Sequence, residues 1–328
     1  MSKFNEHDAD ARTICEALGG RWYGSYGVTF CPSHQNTRTP ALSISNASDG
    51  RLLCTCGNGC DFLSEILPAL QDRGLAAGDG DGRGWPALSD EAIAQRRKEE
   101  EAQACRKREM ARNIWTQALP AQGSPSEAYL RGRGITVPPP ESIRFSPNAF
   151  HGPSGQRLPA MISAVRIEGG RDLTGLHRTF LEPDGNGGWR KLSTAQSKLM
   201  LGQTRGAGTM LHFEFGAPMV VSEGIETGLS ILELMQAEGR RVSVIAALSS
   251  SNMRGLLLPE PVRAGAWSNH LLPAPDPDEA GAKAASALGQ RAVGLGWRVG
   301  RIKPPRKGGD WNDELRRSAG QMIKKGAA

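Results

Sequence analysis

The fold of this chain is indicated most clearly by the stretch VVSEGIE at residues 220–226. It is a short apolar run that ends at acidic residues and precedes a helix-like segment, and PDPDEAG at residues 275–281 ends a second such run. This pattern is typical of the carboxyl end of a parallel strand, where open α/β sheets bind their ligands. It predicts that the carboxylates of Glu223, Asp276 and Asp278 meet at one sheet edge. Because unpaired carboxylates repel one another, we expect a divalent cation there, most often Mg²⁺ in phosphate chemistry.

A second interpretation concerns the same two aspartates. Asp276 and Asp278 could cap the helix that begins near Glu279, because Asp is a favoured N-cap and Pro277 fits a first turn. The stretch GGDWND at residues 308–313 favours the metal interpretation, because it follows a predicted strand at 297–302 and brings Asp310 to the same edge.

Together these stretches resemble the Toprim domain of bacterial-type primases, topoisomerases and some nucleases. The shared features are a Glu-Gly after the first strand, an Asp-x-Asp after the third and a late Gly-Asp-x-Asn-Asp. The sequence EGIET at residues 223–227 is similar to primases carried by phages, plasmids and integrated elements. The resemblance implies a Rossmann-like Toprim domain with a mostly parallel sheet over residues 215–328.

The resemblance also implies roles for the acidic residues. Asp276, Asp278 and Asp310 are the expected ligands of Mg²⁺ or Mn²⁺. Glu223 is either a further ligand or the group that handles the proton of the primer 3′-hydroxyl. Glu226, one helical turn later, either assists or only favours the helix N-terminus.

Composition limits the class of protein. At 328 residues the chain can hold two or three domains and needs no disulfides for stability. No apolar run approaches the roughly 18–20 residues of a membrane span, and the N-terminal residues lack the apolar core of a signal peptide. We therefore expect a cytoplasmic protein with no membrane partner. The net charge of +6 favours a polyanionic partner.

The cysteine pattern predicts a structural zinc site. Four of the six cysteines fall between positions 31 and 60, which in a reducing compartment favours metal over disulfides. A Cys-x2-His, then 21 residues, then a Cys-x3-Cys can close a tetrahedral Cys₃His site. The five candidates for four positions are Cys31, His34, Cys54, Cys56 and Cys60. We choose all but Cys54, because one residue between Cys54 and Cys56 is cramped for two ligands; Cys54 is then a buried hairpin residue or a spare thiol.

This region also resembles the N-terminal zinc ribbon of bacterial-type primases, over residues 1–70. The matching features are CPSH at 31–34, PALSI at 40–44 and paired cysteines before a helix at 61–70. The Cys-x3-Cys spacing, where cellular primases more often have Cys-x2-Cys, points toward the mobile-element branch. Aromatic and arginine side chains of the ribbon either cover its small core or stack and hold single-stranded template. They are Arg21, Trp22, Tyr23, Tyr26, Arg38 and Arg51.

The middle of the chain has two parts. Residues 71–125 are predicted to be a glycine-rich flexible linker followed by a long charged helix from Asp90, with Ser89 as its N-cap, to about Leu119. Residues 126–214 are predicted to be a basic, mixed α+β subdomain with strands at 160–167, 173–181 and 198–201.

The second part, with YLRGRGI at residues 129–135, is similar to the segment before Toprim in mobile-element primases. The resemblance implies basic residues that face the carboxylates across a groove. Arg178 and Lys198 are the candidates, with Arg190 and Lys191 as further ones; each could instead be a surface charge on a strand.

The resulting hypothesis is a DNA primase that makes short RNA primers from nucleoside triphosphates on a single-stranded DNA template. The alternatives are a Toprim-type nuclease and a non-catalytic, zinc-containing DNA-binding replication factor. A topoisomerase is disfavoured, because it needs a tyrosine near the Toprim domain to hold a covalent DNA end. Tyr129 is the only tyrosine outside the zinc region. The sequence has no Gly-x4-Gly-Lys-Ser/Thr phosphate loop, so we expect a separate replicative helicase as a partner.

Overall fold

The computed structural model describes residues 11–34, 40–47, 52–57, 59–76, 90–167, 170, 172–194, 196–259, 268–302 and 309–326. Several sequence predictions lie outside these residues, namely the hairpin turn at Asp49-Gly50, Arg38, Arg51, most of the glycine-rich linker and Ser89. The chain divides into two units, residues 1–105 and 106–328. Within the described part of the chain, no helix is both long and apolar enough to cross a membrane.

The first unit is a small antiparallel sheet flanked by short helices. Its elements are α1 (Ala11–Ala17), β1 (Arg21–Trp22), β2 (Gly27–Thr29), β3 (Leu42–Asn46), β4 (Leu52–Cys56), a π-helical turn (Phe62–Ile66) and α2 (Leu67–Gln71). The four strands pair in sequence order. Alternation along β3 buries Leu42 and Ile44, which pack with Ile14, Ile66 and Leu70. This core is small, as expected for a module that depends on a metal.

A long helix, α3 (Asp90–Gln117), spans the boundary between the two units. It matches the helix predicted from Asp90 to about Leu119. Residues 101–110 are exposed, and burial begins at Ala111. The mixed charges among residues 101–110 face solvent, which accounts for the small apolar surface of this part of the helix.

The second unit is built on one eleven-stranded sheet. Its strands are β5 (Leu119–Pro120), β6 (Ile143–His151), β7 (Gln156–Ile167), β8 (Gly175–Pro183), β9 (Trp189–Lys191), β10 (Lys198–Gly202), β11 (Ala207–His212), β12 (Met219–Ser222), β13 (Ser243–Ala246), β14 (His270–Ala274) and β15 (Arg298–Val299). Its helices after α3 are α4 (Pro125–Gly132), α5 (Ile225–Ala237), α6 (Ser250–Gly255), α7 (Glu279–Gly294) and α8 (Trp311–Gly326).

The sheet changes from antiparallel to parallel along its width. The main path runs β10-β8-β7-β11-β13-β12-β14-β15. Strands β12, β13, β14 and β15 pair in parallel, whereas β11 pairs antiparallel with both β7 and β13. An α/β protein with a mixed α+β part and a mostly parallel part is therefore confirmed.

The parallel half follows from buried apolar strands and close helix packing. Every residue of β12 is buried, which matches the apolar run VVS that first indicated the strand. Helix α5 lies close to this strand at Gly228, where a Cβ atom would come within 2.6 Å of the Ser222 hydroxyl. The strand predicted at 297–302 is shorter than expected, only Arg298–Val299, because it is the edge strand and pairs only with β14.

Candidate active site and zinc cluster

Asp276 and Asp278 follow β14 and lie at the start of α7, as predicted. The Asp278 carboxylate accepts a hydrogen bond from the Gly281 backbone N–H at 2.7 Å and caps the helix. The capping interpretation therefore describes Asp278, and one carboxylate can both cap a helix and offer its other oxygen to a cation. Gly281 allows this turn, because a Cβ atom there would lie 2.7 Å from the Asp276 carbonyl oxygen.

The Asp276 carboxylate does not cap the helix. It accepts a hydrogen bond from the Thr227 hydroxyl at 3.2 Å, so it faces α5 and the end of β12. Burial raises the pKa of Asp276, and the negative charges of Asp310 and Asp278 raise it further. These carboxylates are therefore close enough to repel one another, as the sequence predicted.

Glu223 lies at the same edge and is held by the loop after β13. Burial raises the pKa of Glu223, followed by the charge of Asp276, while a backbone N–H bond from Ser250 opposes the shift. Its Oε2 atom is buried and has no hydrogen-bond partner among the described residues. The Leu248 N–H donates to the Glu223 carbonyl oxygen at 2.7 Å, and Leu248 is the one non-glycine residue of the described chain with a positive φ, 75°. Such backbone strain is typical of functional sites.

Asp310 precedes α8 and caps it. Its carboxylate accepts from the Asp313 N–H at 2.8 Å, and the Asp313 carboxylate accepts from the Asp310 N–H at 3.1 Å. A nitrogen of Arg133 lies 3.9 Å from the second Asp310 oxygen. Asp310 is thus held rigidly while one oxygen faces a cationic side chain.

A pocket of about 540 Å³ joins these residues to a set of cations. It is lined by Tyr129, Gly132, Arg133, Asp184, Trp189, Arg190, Lys191, Lys198, Gly224, Glu226, Thr227, Asp276, Asp310 and Arg316. We call Glu223, Asp276, Asp278 and Asp310 the metal-type carboxylates. Two of them, Asp276 and Asp310, share this cavity with five Arg and Lys side chains. Glu223 and Asp278 are not among the residues that line this pocket.

Arg178 and Lys198, the two basic residues predicted first, lie in different surroundings in the structure. Lys198 lines the pocket, whereas Arg178 does not. Leu199 pairs with Arg178 and Lys198 pairs with Thr179, so Lys198 and Arg178 lie on opposite faces of the sheet. The Arg178 guanidinium is buried and donates to the carbonyl oxygens of Phe150, at 2.9 Å, and Met200, at 3.4 Å.

Four basic residues besides Lys198 line the pocket. Arg190 and Lys191, which were further candidates, are two of them. The other two, Arg133 and Arg316, were not singled out in the sequence. The sequence feature that could have identified Arg133 is its place in the stretch YLRGRGI. In the structure, the Nε atom of Arg133 is buried and has no hydrogen-bond partner among the described residues. Arg316 approaches through space from α8, and its guanidinium donates to the carbonyl oxygens of Gly132 and Arg133.

The acidic residues fit a divalent cation by chemistry. They offer carboxylate oxygens, which Mg²⁺ and Mn²⁺ prefer, and the pKa values of Asp276 and Glu223 are raised by burial and mutual repulsion, which a cation would relieve. Among the residues that the structure describes, however, the carboxylates are not drawn together as tightly as the zinc-type ligands are. Asp276, Asp278 and Asp310 would hold the ion, and Glu223 is near enough to act on it electrostatically.

The zinc-type cluster lies in the first unit and consists of the four residues that the cysteine pattern indicated. Atoms of Cys31, His34, Cys56 and Cys60 that could bind a metal lie within 4.8 Å of one another. The His34 Nε2 atom is 3.3 Å from the Cys56 sulfur. Three thiolates and one imidazole around a common point fit tetrahedral Zn²⁺, whose role would be structural.

Cys54 is left out of this cluster. Its side chain is partly buried against the core of the first unit, and burial raises the pKa of the Cys54 thiol to about 12. A thiol that stays protonated is a poor metal ligand, which agrees with the interpretation of Cys54 as a hairpin residue.

The first unit also exposes a pair of aromatic rings. Tyr23 and Tyr26, on the turn between β1 and β2, are stacked with ring centroids 5.4 Å apart, and about half of each side chain faces solvent. The Arg21 guanidinium lies 5.7 Å from the Tyr23 ring centroid. Trp22 instead packs partly against the core, and its indole N–H donates to the Gly24 carbonyl oxygen. The two tyrosines form a flat surface that could stack with a base.

Two family models match parts of the chain. Residues 105–211 match a domain of unknown function, DUF7146. Residues 218–321 match the Toprim domain. The chain therefore contains a Toprim domain, as the acidic stretches predicted. A comparison with curated proteins gave no match.

Solved structures of primases are among those similar to this chain. The zinc-binding and RNA polymerase domains of Aquifex aeolicus primase are 14% identical, with a TM-score of 0.37, over 96% of this chain and 81% of that one. The primase fragment of the bacteriophage T7 primase-helicase protein is 15% identical, with a TM-score of 0.38, over 64% of this chain and 79% of that one.

Proposed function

We propose that this chain is a DNA primase that joins nucleoside triphosphates into short RNA primers on single-stranded DNA. The observation that supports it best is the pocket in which Asp276 and Asp310 share one cavity with five Arg and Lys side chains. A triphosphate needs cations for its oxygens, and the growing strand needs a carboxylate-bound metal beside them.

The chemistry assigns a task to each side of the pocket. Phosphoryl transfer requires in-line geometry and neutralisation of developing charge. Mg²⁺ or Mn²⁺ bound by Asp276, Asp278 and Asp310 would supply the Lewis acid for this reaction. The chain's own cations bind and orient the triphosphate oxygens. Arg133 lies 3.9 Å from the Asp310 carboxylate, and the charge of Lys198 acts on Asp276. Glu223, whose pKa is raised by burial and by the charge of Asp276, is a carboxyl group that could accept the proton of the 3′-hydroxyl.

One assay tests the proposal against its two alternatives. The purified chain is incubated with single-stranded DNA, labelled nucleotides and Mg²⁺ or Mn²⁺. New oligonucleotides whose length depends on all four nucleotides support the primase. Shortened DNA with no new product would instead identify a Toprim nuclease. Binding without either product would identify a replication factor that lacks catalysis.

Template binding is expected to depend on the Tyr23–Tyr26 pair. Each base that stacks on an aromatic ring contributes about 1–3 kcal/mol, so replacing both tyrosines with Ala should weaken binding of single-stranded DNA by at least about tenfold. Fluorescence anisotropy with a labelled oligonucleotide measures this. Leu53→Ala is the matched control, because Leu53 is an exposed apolar residue of the same sheet and has no ring.

The same measurement at several salt concentrations tests the role of Arg and Lys. Contacts to phosphate release condensed counterions, so log K should fall steeply as log salt rises, in wild type and tyrosine variants alike. An affinity that is unchanged between low and moderate salt would contradict any role in nucleic-acid binding. Equal affinity in wild type and the double tyrosine variant would contradict stacking on this pair.

A further inference from the structure

Glu226 is a buried carboxylate that lines the active-site pocket. It lies in the first turn of α5, and only 7% of its surface is exposed. Each of its oxygens has a partner from a distant part of the chain. Oε1 accepts from the Tyr129 hydroxyl of α4 at 2.8 Å, and Oε2 lies 3.2 Å from the Lys198 ammonium of β10. With both oxygens engaged by protein, Glu226 differs from the metal-type carboxylates around it.

Glu226 carries its negative charge despite its burial. Burial by itself would raise the pKa of Glu226, but Lys198, its own backbone N–H and the Tyr129 hydroxyl outweigh burial and lower it to about 2. The nearby His177 does not share the charge, because burial and then Lys198 lower the pKa of His177 to about 4 and leave the ring neutral. The positive charge that balances Glu226 is therefore that of Lys198.

Lys198 is the part of this network that extends into the pocket toward the metal-type carboxylates. Its side chain is 37% exposed and lines the pocket. Its charge lowers the pKa values of both Asp276 and Glu223, so the ammonium stands within electrostatic range of the metal-type carboxylates. A lysine has four rotatable side-chain bonds and three N–H donors, so without an anchor its ammonium would sample many positions.

We propose that Glu226 is a positioning residue that fixes the Lys198 ammonium at the active-site pocket, with Tyr129 fixing Glu226 in turn. This inference rests on the proposed function in one respect, since the group that Lys198 contacts is the triphosphate of an incoming nucleotide. The sequence left two interpretations of Glu226, that it assists the site or that it only favours the helix N-terminus. The proposal adopts the first, with Glu226 acting through Lys198. Glu226 itself touches neither nucleotide nor metal.

The test is a double-mutant cycle on nucleotide binding. The variants are Glu226→Gln, Lys198→Gln and the two together, and the probe is ATP with Mg²⁺ in isothermal titration calorimetry. Lys198→Gln should weaken ATP binding by about 10- to 100-fold, because it removes a charge-assisted hydrogen bond. Glu226→Gln should weaken it by about tenfold in the wild-type background. In the Lys198→Gln background it should have almost no further effect, because Glu226 acts through Lys198.

Glu233→Gln provides the matched control. Glu233 is on the same helix and also accepts hydrogen bonds from a segment 97 residues upstream, at Thr136, but it does not line the pocket. Its variant should lower the melting temperature without changing ATP affinity. Tyr129→Phe removes one hydroxyl and should weaken ATP binding in the same direction as Glu226→Gln but less. If Glu226→Gln does not fold, Tyr129→Phe takes its place in the double-mutant cycle.

The outcomes distinguish this inference from the proposed function. If Glu226→Gln weakens ATP binding equally in both backgrounds, Glu226 does not act through Lys198 and the inference is overturned, whether or not primers are made. If the cycle shows coupling but the wild type makes no primers, the inference stands and primase activity is wrong. If the wild type neither binds ATP nor makes primers, both are wrong.

Discussion

Asp276→Asn is expected to reduce primer synthesis by two to three orders of magnitude. The substitution keeps the shape of the side chain and a partner for the Thr227 hydroxyl, but it removes the charge with which a cation is bound. A metal contributes several kcal/mol to the stabilisation of transition-state charge, and each 1.4 kcal/mol corresponds to about a tenfold change in rate. Asp278→Asn should have a similar effect, while its amide oxygen still accepts from Gly281 and caps α7.

The stability of these variants is not expected to fall. The pKa of Asp276 is raised by burial and then by Asp310 and Asp278, so in the metal-free protein the ionised form is less favourable in the folded than in the unfolded chain. At a pH above that raised pKa, an uncharged Asn removes this penalty. The melting temperature without metal should therefore be unchanged or slightly higher.

Glu279→Gln is the matched control for this pair of variants. Glu279 belongs to the same acidic stretch, but its exposed side chain pairs with Lys283 and does not line the pocket. It should leave synthesis unchanged. The measurement is Mg²⁺-dependent incorporation of labelled nucleotides, with differential scanning calorimetry of each variant. Full activity in both aspartate variants would mean that the two aspartates only cap a helix and bind no catalytic cation.

The acidic edge was predictable because strand ends are local features. A buried apolar run that stops at carboxylates appears in the sequence as a contiguous pattern, and parallel strands bring such ends to one edge. The two interpretations of Asp278, as cap and as ligand, did not exclude each other. The cysteine spacing was predictive for the same reason, since chain geometry alone made Cys54 and Cys56 an awkward pair of ligands.

The basic side of the pocket was less predictable, because it depends on strand register. Arg178 and Lys198 both lie on strands, yet a shift of one residue moves a side chain to the other face of a sheet. The pairing of Leu199 with Arg178 decides which of the two reaches the pocket, and nothing in either strand alone reveals it. The contact between Glu226 and Tyr129 was also not predictable from local sequence patterns, because the two residues are 97 positions apart.

Removal of zinc is expected to unfold the first unit while the second unit keeps its fold. Cys31 and Cys56 are themselves buried members of the core of the first unit, so the metal site and that core are one structure. Structural Zn²⁺ contributes about 10–16 kcal/mol to folding in small zinc modules, and a unit with so small a core has little to replace it. Limited proteolysis of the full chain after chelation should cut within residues 11–76 and spare 106–326.

Single substitutions then identify the ligands through the zinc content of the purified protein. Cys56→Ser should lose most of the bound zinc, because an incomplete tetrahedron binds weakly, and it should show the same proteolytic pattern as the chelated protein. Cys54→Ser should keep one zinc per chain and resist cleavage, since Cys54 lies outside the cluster and its thiol has a raised pKa of about 12. Zinc that is lost from the Cys54 variant and kept by the Cys56 variant would show that the hairpin presents the other thiol to the metal.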